Sequence, residues 1–243
     1  MNNKLSPFVI ALSIIVSAFV LGRAWNYRYR AQETISVTGL ASKDFSSDLV
    51  VWSGNYSRKS LELRSAYSQL KADENSIREY LVGKGISSGE IVFSSVGIDK
   101  QFSYTYDENG RQTGQQFTGY NLTQTITVES KDIDKVESVS RQVTELIEQG
   151  IEFYSGQPSY FYTKLADLKL DLLANASSDA RRRAEIIAEN SGSSLGDLKK
   201  SAMGVFQITG QNSNEDYSYG GVFNTSSRQK TASITLRVEY QAN

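Results

Sequence analysis

The side chains that most often carry enzyme chemistry are missing from this chain. Its 243 residues include no cysteine and no histidine. A thiolate nucleophile, an imidazole base and the usual zinc ligands are therefore excluded. Only carboxylate, hydroxyl, lysine and tyrosine chemistry remains, and the sequence favours a protein that is not an enzyme.

Two glutamates have a spacing that could support acid–base chemistry. Glu185 and Glu189 lie four residues apart in a segment with helical periodicity, after Arg181 and Arg182. Two carboxylates about 5 to 9.5 Å apart in a cleft can hydrolyse a glycosidic bond. On an exposed helix, the same spacing forms solvated Arg–Glu pairs that stabilise the helix by a few tenths of a kcal/mol. We favour the solvated pairs and keep a carboxylate hydrolase as a third hypothesis.

A cation site is a second chemical candidate. Asp107, Asn109 and Gly110 resemble the opening of a calcium-binding loop. The glutamate that closes an EF-hand is missing, because Gln116 or Phe117 lies near its place. The same residues are typical of a tight turn between two strands. The sequence therefore predicts a hairpin turn, with no metal site and no cofactor.

Aromatic side chains alternate along one arm of this predicted hairpin, and a tyrosine-rich segment follows at 216–223. Alternate residues of a strand share one face, and tyrosine combines a large contact area with a polar tip. A subunit interface is one interpretation, and cross-strand packing within one subunit is the other. The candidate interface residues are Phe102, Tyr104, Tyr106, Tyr217 and Tyr219.

The N-terminus has the order of a signal sequence, with one cation, Lys4, before an uncharged apolar run at 8–22. As a helix, residues 5–25 would extend roughly 30 Å, enough for the hydrocarbon core of a bilayer. Small residues at 16–18 could be a cleavage site, but the apolar run continues past them, so we favour an uncleaved anchor. The predicted membrane-anchor residues are Phe8, Ala11, Ile14, Ile15, Phe19, Leu21 and Trp25.

The elements that must position these residues follow from the hydrophobic period. Helices are predicted at 60–82, 132–149 and 164–190, and a mobile loop at 210–227. The strand at 48–57 is apolar on both faces, which indicates a central position, and the strand at 151–162 is expected to break near Pro158. The predicted strands are 34–38, 48–57, 91–104, 116–128, 151–162, 202–209 and 231–240.

This order predicts an α+β fold, a largely antiparallel sheet with three main helices packed on it, preceded by an N-terminal hydrophobic helix. We assign residues 1–30 to a signal-anchor with a juxtamembrane belt, and residues 31–243 to the folded body. That body is long enough for one large domain or two small intertwined ones. The 26 basic and 27 acidic residues nearly cancel, so no nucleic-acid partner is expected.

Four short segments carry a resemblance to the SIMPL family, in an order that covers nearly all of 31–243. They are Ile-Ser-Val-Thr-Gly at 35–39, Gly-Ile at 85–86 before Glu-Ile at 90–91, Gly-Tyr at 119–120 before Thr-Ile-Thr-Val at 125–128, and Ala-Ser-Ser-Asp-Ala-Arg-Arg-Arg-Ala-Glu at 176–185. Bacterial members include a periplasmic immunogenic antigen. The resemblance implies an oligomeric envelope protein with no established catalytic residues, and the segment 216–223 departs from the family pattern.

The leading functional hypothesis is a non-catalytic, membrane-anchored envelope protein that self-assembles into a homo-oligomer with a scaffold or channel-like role. The alternative is a monomeric envelope module that binds a peptide, glycan or small ligand. A role in stress protection belongs to this alternative. We expect the anchor in the inner (cytoplasmic) membrane and the C-terminal body in the periplasm or outside. A cleaved segment would release the body into the periplasm.

Overall fold

The computed structural model describes residues 7–30 and 33–243, with side chains for 11–23 and 33–243. The helices are α1 (Pro7–Arg30), α2 (Leu63–Gly83), α3 (Ile133–Gln142) and α4 (Leu165–Asn190), with 3-10 turns at Ser88–Glu90 and Val143–Gln149. The strands are β1 (Thr34–Ser46), β2 (Leu49–Ser60), β3 (Ile91–Phe93), β4 (Gly97–Tyr106), β5 (Gln112–Ser130), β6 (Phe153–Ser155), β7 (Ser159–Phe161), β8 (Leu195–Met203), β9 (Gln207–Gly210) and β10 (Gln229–Ala242).

The strands form two antiparallel sheets, which corrects the single sheet expected from the sequence. In the terminal sheet, β10 lies between β1 on one side and β8 and β9 on the other. In the central sheet, β5 and β2 pair in the middle, β3 and β4 pair with β5, and β6 and β7 pair with β2. The α+β class and the antiparallel pairing are confirmed. The number of sheets was wrong because hydrophobic period assigns strands but not their partners.

The central sheet has its own hydrophobic core, covered by α2 and α3. The apolar side chains of β2 and β5 that face these helices are fully buried, and so is the inner row of α2. The central position predicted for β2 is confirmed by its pairing with β5 on one edge and with β6 and β7 on the other, but its fully buried residues alternate, so only one face of the strand is fully buried. The largest members of this core include Trp52, Tyr56, Leu70, Ile77, Ile126 and Leu146.

The terminal sheet has a separate core beneath α4. The inner row of α4 begins with Leu168 and Leu172 and continues with four buried alanines at 176, 180, 184 and 188. These small side chains let the helix approach β1 closely. The approach is so close that a Cβ atom on Gly39 would lie 2.2 Å from the carbonyl oxygen of Ala176. The backbone N–H of Leu40 also donates to the carboxylate of Asp179 at 2.8 Å. Helix α4 therefore fixes the position of β1.

Hydrogen bonds join the two sheets near the link between β1 and β2. The carboxylate of Asp48 accepts from both the backbone N–H and the hydroxyl of Thr163, each at 2.7 Å. The N–H of Tyr160 donates to the carbonyl of Thr225 at 2.7 Å. An ion pair joins Arg228 to Asp134 of α3. The two sheets are thus fastened by polar contacts rather than by one shared core.

The same local motif ends two helical segments, at the Gly-Ile pairs 85–86 and 150–151. Gly85 and Gly150 have φ values of 90° and 73°, in the left-handed region that favours glycine. The following residues, Ile86 and Ile151, are buried, and their N–H groups bond to carbonyls five residues earlier. The break between β6 and β7 around Pro158 is also confirmed.

Helix α1 exposes every side chain that the structure describes, from 11 to 23. Of the predicted anchor residues, Ala11, Ile14, Ile15, Phe19 and Leu21 belong to this exposed stretch. The side chains of Phe8 and Trp25 lie outside the described residues. None of the described helices combines the length needed to span a membrane with a sufficiently apolar sequence.

Candidate interaction site

The first candidate surface is a two-stranded hairpin formed by β4 and the first half of β5. All ten residues of β4 are exposed on both faces. An irregularity marks the root of the hairpin, where Gln101 pairs with Gly119 but Phe102 pairs with Phe117. Thr118 is the extra residue, so a β-bulge sets the direction in which the hairpin leaves the sheet. We call residues 101–117 the aromatic hairpin.

One face of the aromatic hairpin carries a row of rings. Phe102 and Phe117 are cross-strand partners with centroids 5.7 Å apart, and Phe117 lies 5.1 Å from Tyr120, which packs on the central core. Tyr104 and Tyr106 lie farther out and are 46% and 62% exposed. Cross-strand packing therefore accounts for Phe102 but leaves the two tyrosines uncovered.

The tip of the aromatic hairpin is the tight turn predicted from the sequence. The Oδ1 atom of Asp107 accepts from the N–H groups of Asn109 and Arg111 at 2.9 and 2.8 Å. Gly110 has a φ of 75°, which a side chain would strain. The carboxylate of Asp107 is thus committed to closing the turn, and across the described residues no group of acidic side chains could hold a metal ion.

The second candidate surface is a groove of about 520 Å³ beside the outer face of the terminal sheet. Its lining comes from four separate segments: β1, residues 204–207 at the start of β9, the tyrosine-rich loop and β10. None of the described lining side chains is charged. We call it the tyrosine groove, and the residues that define it are Leu40, Val205, Tyr217, Tyr219, Ser233 and Thr235.

Hydrogen bonds hold the tyrosine-rich loop in place, although its composition predicts mobility. The amide of Gln207 donates to the carbonyl of Ser218 at 2.8 Å and accepts from the N–H of Val222 at 2.8 Å. The hydroxyl of Ser233 donates to the phenol oxygen of Tyr217 at 3.3 Å. The ring of Tyr219 remains fully exposed at the rim. The groove wall is therefore preorganised before any ligand arrives.

A buried lysine supports the base of the same loop. Lys230 is 2% exposed, and its ammonium group donates to the carbonyl and the side-chain oxygen of Asn224 at 2.5 and 3.3 Å. The amide of Asn224 in turn donates to Glu215. Burial lowers the pKa of Lys230 to about 8, while the charge of Glu215 opposes this change. Sequence reasoning missed Lys230, although Lys230 lies on the same face of β10 as the buried Ala232 and Ile234.

Replacing Lys230 with methionine is expected to remove a pH dependence of stability. The unfolded chain keeps the ordinary lysine pKa of about 10.4, so it binds more protons than the folded chain between pH 8 and that value. Stability from this group therefore rises with pH across that window, by up to about 3 kcal/mol. The measurement is the free energy of unfolding of wild type minus Lys230→Met as a function of pH.

Lys199→Met is the matched control, because Lys199 is exposed on β8. The same subtraction with this control reports the effect of removing one exposed lysine. A difference for Lys230→Met that does not change between pH 8 and 10 would contradict the assigned environment of Lys230.

The acidic residues with catalytic spacing lie on the solvent side of α4. The guanidinium of Arg181 donates to Glu185 at 2.9 Å, with both side chains substantially exposed, and Glu189 is exposed. The solvated interpretation is confirmed for Glu185. The carboxylates of Asp73 and Glu74 are buried, but Arg58 and Lys71 pair with them. These acids contribute to structure in the central core.

The five predicted interface residues divide between the two surfaces. Phe102, Tyr104 and Tyr106 belong to the aromatic hairpin of the central sheet, whereas Tyr217 and Tyr219 line the tyrosine groove of the terminal sheet. The sequence treats them as one aromatic set. The structure assigns them to a projecting element and a concave one.

A protein-family model matches residues 35–242, and its description is SIMPL, a protein of unknown function (DUF541). The match begins within β1 and ends within β10, so it includes both sheets. No curated protein matches the chain. Because the match extends over most of the sequence, and in agreement with the four segments noted above, the chain belongs to the SIMPL family.

Proposed function

We propose that this SIMPL protein is a non-catalytic, membrane-held protein of the cell envelope that self-assembles through its folded body into a scaffold or channel-like oligomer. The aromatic hairpin is the observation that carries the proposal. It extends beyond the central core, with Tyr104 and Tyr106 facing solvent on a strand that is exposed throughout. Exposed aromatic surface of this kind is typical of protein–protein contacts.

The free edge of β4 also supports self-assembly. Among the described residues, strand β4 pairs with β5 alone, so its other edge offers unpaired backbone groups over Gly97–Tyr106. Monomeric proteins usually protect such edges with several charges or a proline. Here only Asp99 and Lys100 are charged, and they lie at the root of the hairpin. A docked partner would cover both the rings and this edge.

Helix α1 supports the membrane part of the proposal. Its described side chains include large exposed apolar residues, with Ile15, Phe19 and Leu21 each at least 65% exposed. Apolar side chains exposed on a helix gain stability when a bilayer covers them. Residues 1–30 would then hold the protein in the inner (cytoplasmic) membrane, and the body at 31–243 would lie in the periplasm or outside.

A binding module is the second candidate function, because the tyrosine groove has the composition of a ligand site. Such sites combine apolar walls with a few polar groups that orient the ligand. Here the walls are Leu40 and Val205, and the polar groups are the hydroxyls of Ser233 and Thr235. A peptide, glycan or small ligand of the envelope would fit this chemistry.

Removing the rings of β4 from the aromatic hairpin is expected to weaken assembly strongly. The test is size-exclusion chromatography with light scattering on the full-length protein in detergent, comparing wild type with the triple variant Phe102→Ser, Tyr104→Ser, Tyr106→Ser. We expect a defined oligomer for wild type and at least a tenfold weaker association for the variant, because interface energy concentrates in a few aromatic residues.

The matched control carries Tyr67→Ser, Val92→Ser and Tyr154→Ser, three residues that are at least 50% exposed outside the aromatic hairpin. This control should assemble like wild type. A monomeric wild type would refute the proposed self-assembly and favour the binding module. An assembled triple hairpin variant would show that another surface carries the contact.

A further inference from the structure

We propose that the aromatic hairpin of one copy docks into the tyrosine groove of the next, so that copies join head to tail. This inference rests on the proposed self-assembly and specifies its partner. The hairpin projects and the groove is concave, and they lie on different sheets of the same chain. A contact between two different surfaces of identical copies is heterologous, and its repetition gives a ring or a filament.

Both surfaces leave large aromatic or aliphatic side chains uncovered in one copy. Tyr104 and Tyr106 of the hairpin are 46% and 62% exposed, and Tyr217 and Val205 of the groove are 69% and 49% exposed. Burying apolar surface is favourable by about 25 cal/mol per Å². Aromatic rings that meet in offset or edge-to-face geometry add to that. The hairpin offers the rings, and the groove offers an uncharged cavity large enough to accept them.

The charges beside the two surfaces are complementary. The turn at the hairpin tip carries Asp107, Glu108 and Arg111, two acidic residues and one basic residue. Two residues past Thr235 of the groove, β10 carries Arg237, with Lys200 of β8 and Glu239 beside it, two basic residues and one acidic residue. Seating the hairpin in the groove with its tip toward Arg237 would therefore place an excess of negative charge beside an excess of positive charge.

These cations are available for such a contact. Across the described part of the chain, neither Arg237 nor Lys200 forms a salt bridge or a side-chain hydrogen bond. The side chain of Glu108 is likewise unpaired within those residues. Opposite charges placed this way steer association and fix the register of the docked hairpin.

The tyrosine groove is built to receive a partner at low entropic cost. Gln207 fixes the loop that carries Tyr217 before binding, as described above. A preorganised surface avoids the ordering cost that weakens association. In contrast, a hairpin–hairpin contact would pair like surfaces and leave the groove empty. The head-to-tail contact uses both uncovered surfaces at once.

Two complementary variants of the full-length protein test this arrangement. The hairpin variant carries Tyr104→Ser and Tyr106→Ser and keeps an intact groove. The groove variant carries Leu40→Asp and Val205→Asp and keeps an intact hairpin. Each variant alone should be monomeric in detergent by light scattering. Their equimolar mixture should form a dimer and nothing larger, because only one of its two possible contacts is intact.

The outcomes separate this inference from the proposed function. If wild type is monomeric, both fail. If wild type assembles and the groove variant also assembles alone, self-assembly stands and the head-to-tail contact is refuted. A mixture that stays monomeric or grows beyond a dimer refutes it equally.

Tyr219→Ser is a second groove variant, which keeps the test valid if the variant with two aspartates does not fold. The ring of Tyr219 is fully exposed and its removal leaves the core untouched. We expect at least a tenfold weaker association for Tyr219→Ser, with circular dichroism and thermal unfolding unchanged. Wild-type association of this variant would overturn the assignment of the groove as the docking site.

Discussion

Replacing Arg58 with methionine is expected to destabilise the folded body by about 3 kcal/mol. The guanidinium of Arg58 forms a two-point contact with Asp73, through Nε at 2.5 Å and Nη2 at 2.8 Å. It also donates to the carbonyl of Gly150 at 2.9 Å. Methionine retains the apolar stem but leaves the Asp73 carboxylate, which is 8% exposed, without its counter-ion. Losing one partner of a buried pair costs more than the pair contributes.

The measurement is thermal unfolding of the full-length protein in detergent, followed by circular dichroism. A loss of about 3 kcal/mol corresponds to a Tm lower by roughly 6 to 12 °C for a body of this size. Arg181→Met is the control, since it removes the same side chain from an exposed pair with Glu185. Its Tm should change by about 2 °C or less. Equal shifts for both variants would show that water reaches Asp73.

Replacing Gly39 with alanine is expected to disrupt the packing of α4 on the terminal sheet. The added Cβ atom would lie 2.2 Å from the carbonyl oxygen of Ala176 and 2.7 Å from the Cβ of Ala180. The nearest of these atoms belongs to the helix backbone, so no side-chain rotation can relieve the contact. Overpacking a core costs about 1 to 3 kcal/mol, and we expect the upper end here.

Gly83→Ala is the control for this prediction. Gly83 ends α2 in open space, with no atom within 4 Å of an added Cβ. Alanine is a better helix former, so this variant should be neutral or up to about 1 kcal/mol more stable. The same unfolding measurement applies to both variants. A neutral Gly39→Ala would mean that α4 can move away from β1 without loss of packing.

Much of the local structure could be predicted because its causes are local. The period of apolar residues defines α2 and α4, and glycine endings define their limits. The hairpin tip follows from Asp107 and Gly110, whose roles depend on residues within four positions. The end of the inner row of α4 is less obvious, because Ala188 is buried there while the larger Ile187 is 44% exposed.

The arrangement of sheets and the tyrosine groove could not be predicted, because both depend on contacts between distant segments. Thr34 of β1 pairs with Gln241 of β10, about 200 residues later. The groove combines Leu40 with Val205 and Thr235, which no local pattern relates. Lys230 was an accessible signal, because a lysine on the buried face of a strand needs a buried hydrogen-bond partner. The hydrophobic period of the sequence does not identify that partner.

The pairing of β1 with β10 has a consequence for how the chain is made. All strands of the central sheet lie between Leu49 and Phe161, so that sheet can fold as soon as this stretch has left the ribosome. The terminal sheet cannot close then, because its middle strand, β10, follows α4, β8 and β9 in the chain. Strand β1 is made before the central sheet and stays without its partner strand until β10 has been made. The order of synthesis thus leaves the pairing edge of β1 open while the central sheet is already complete.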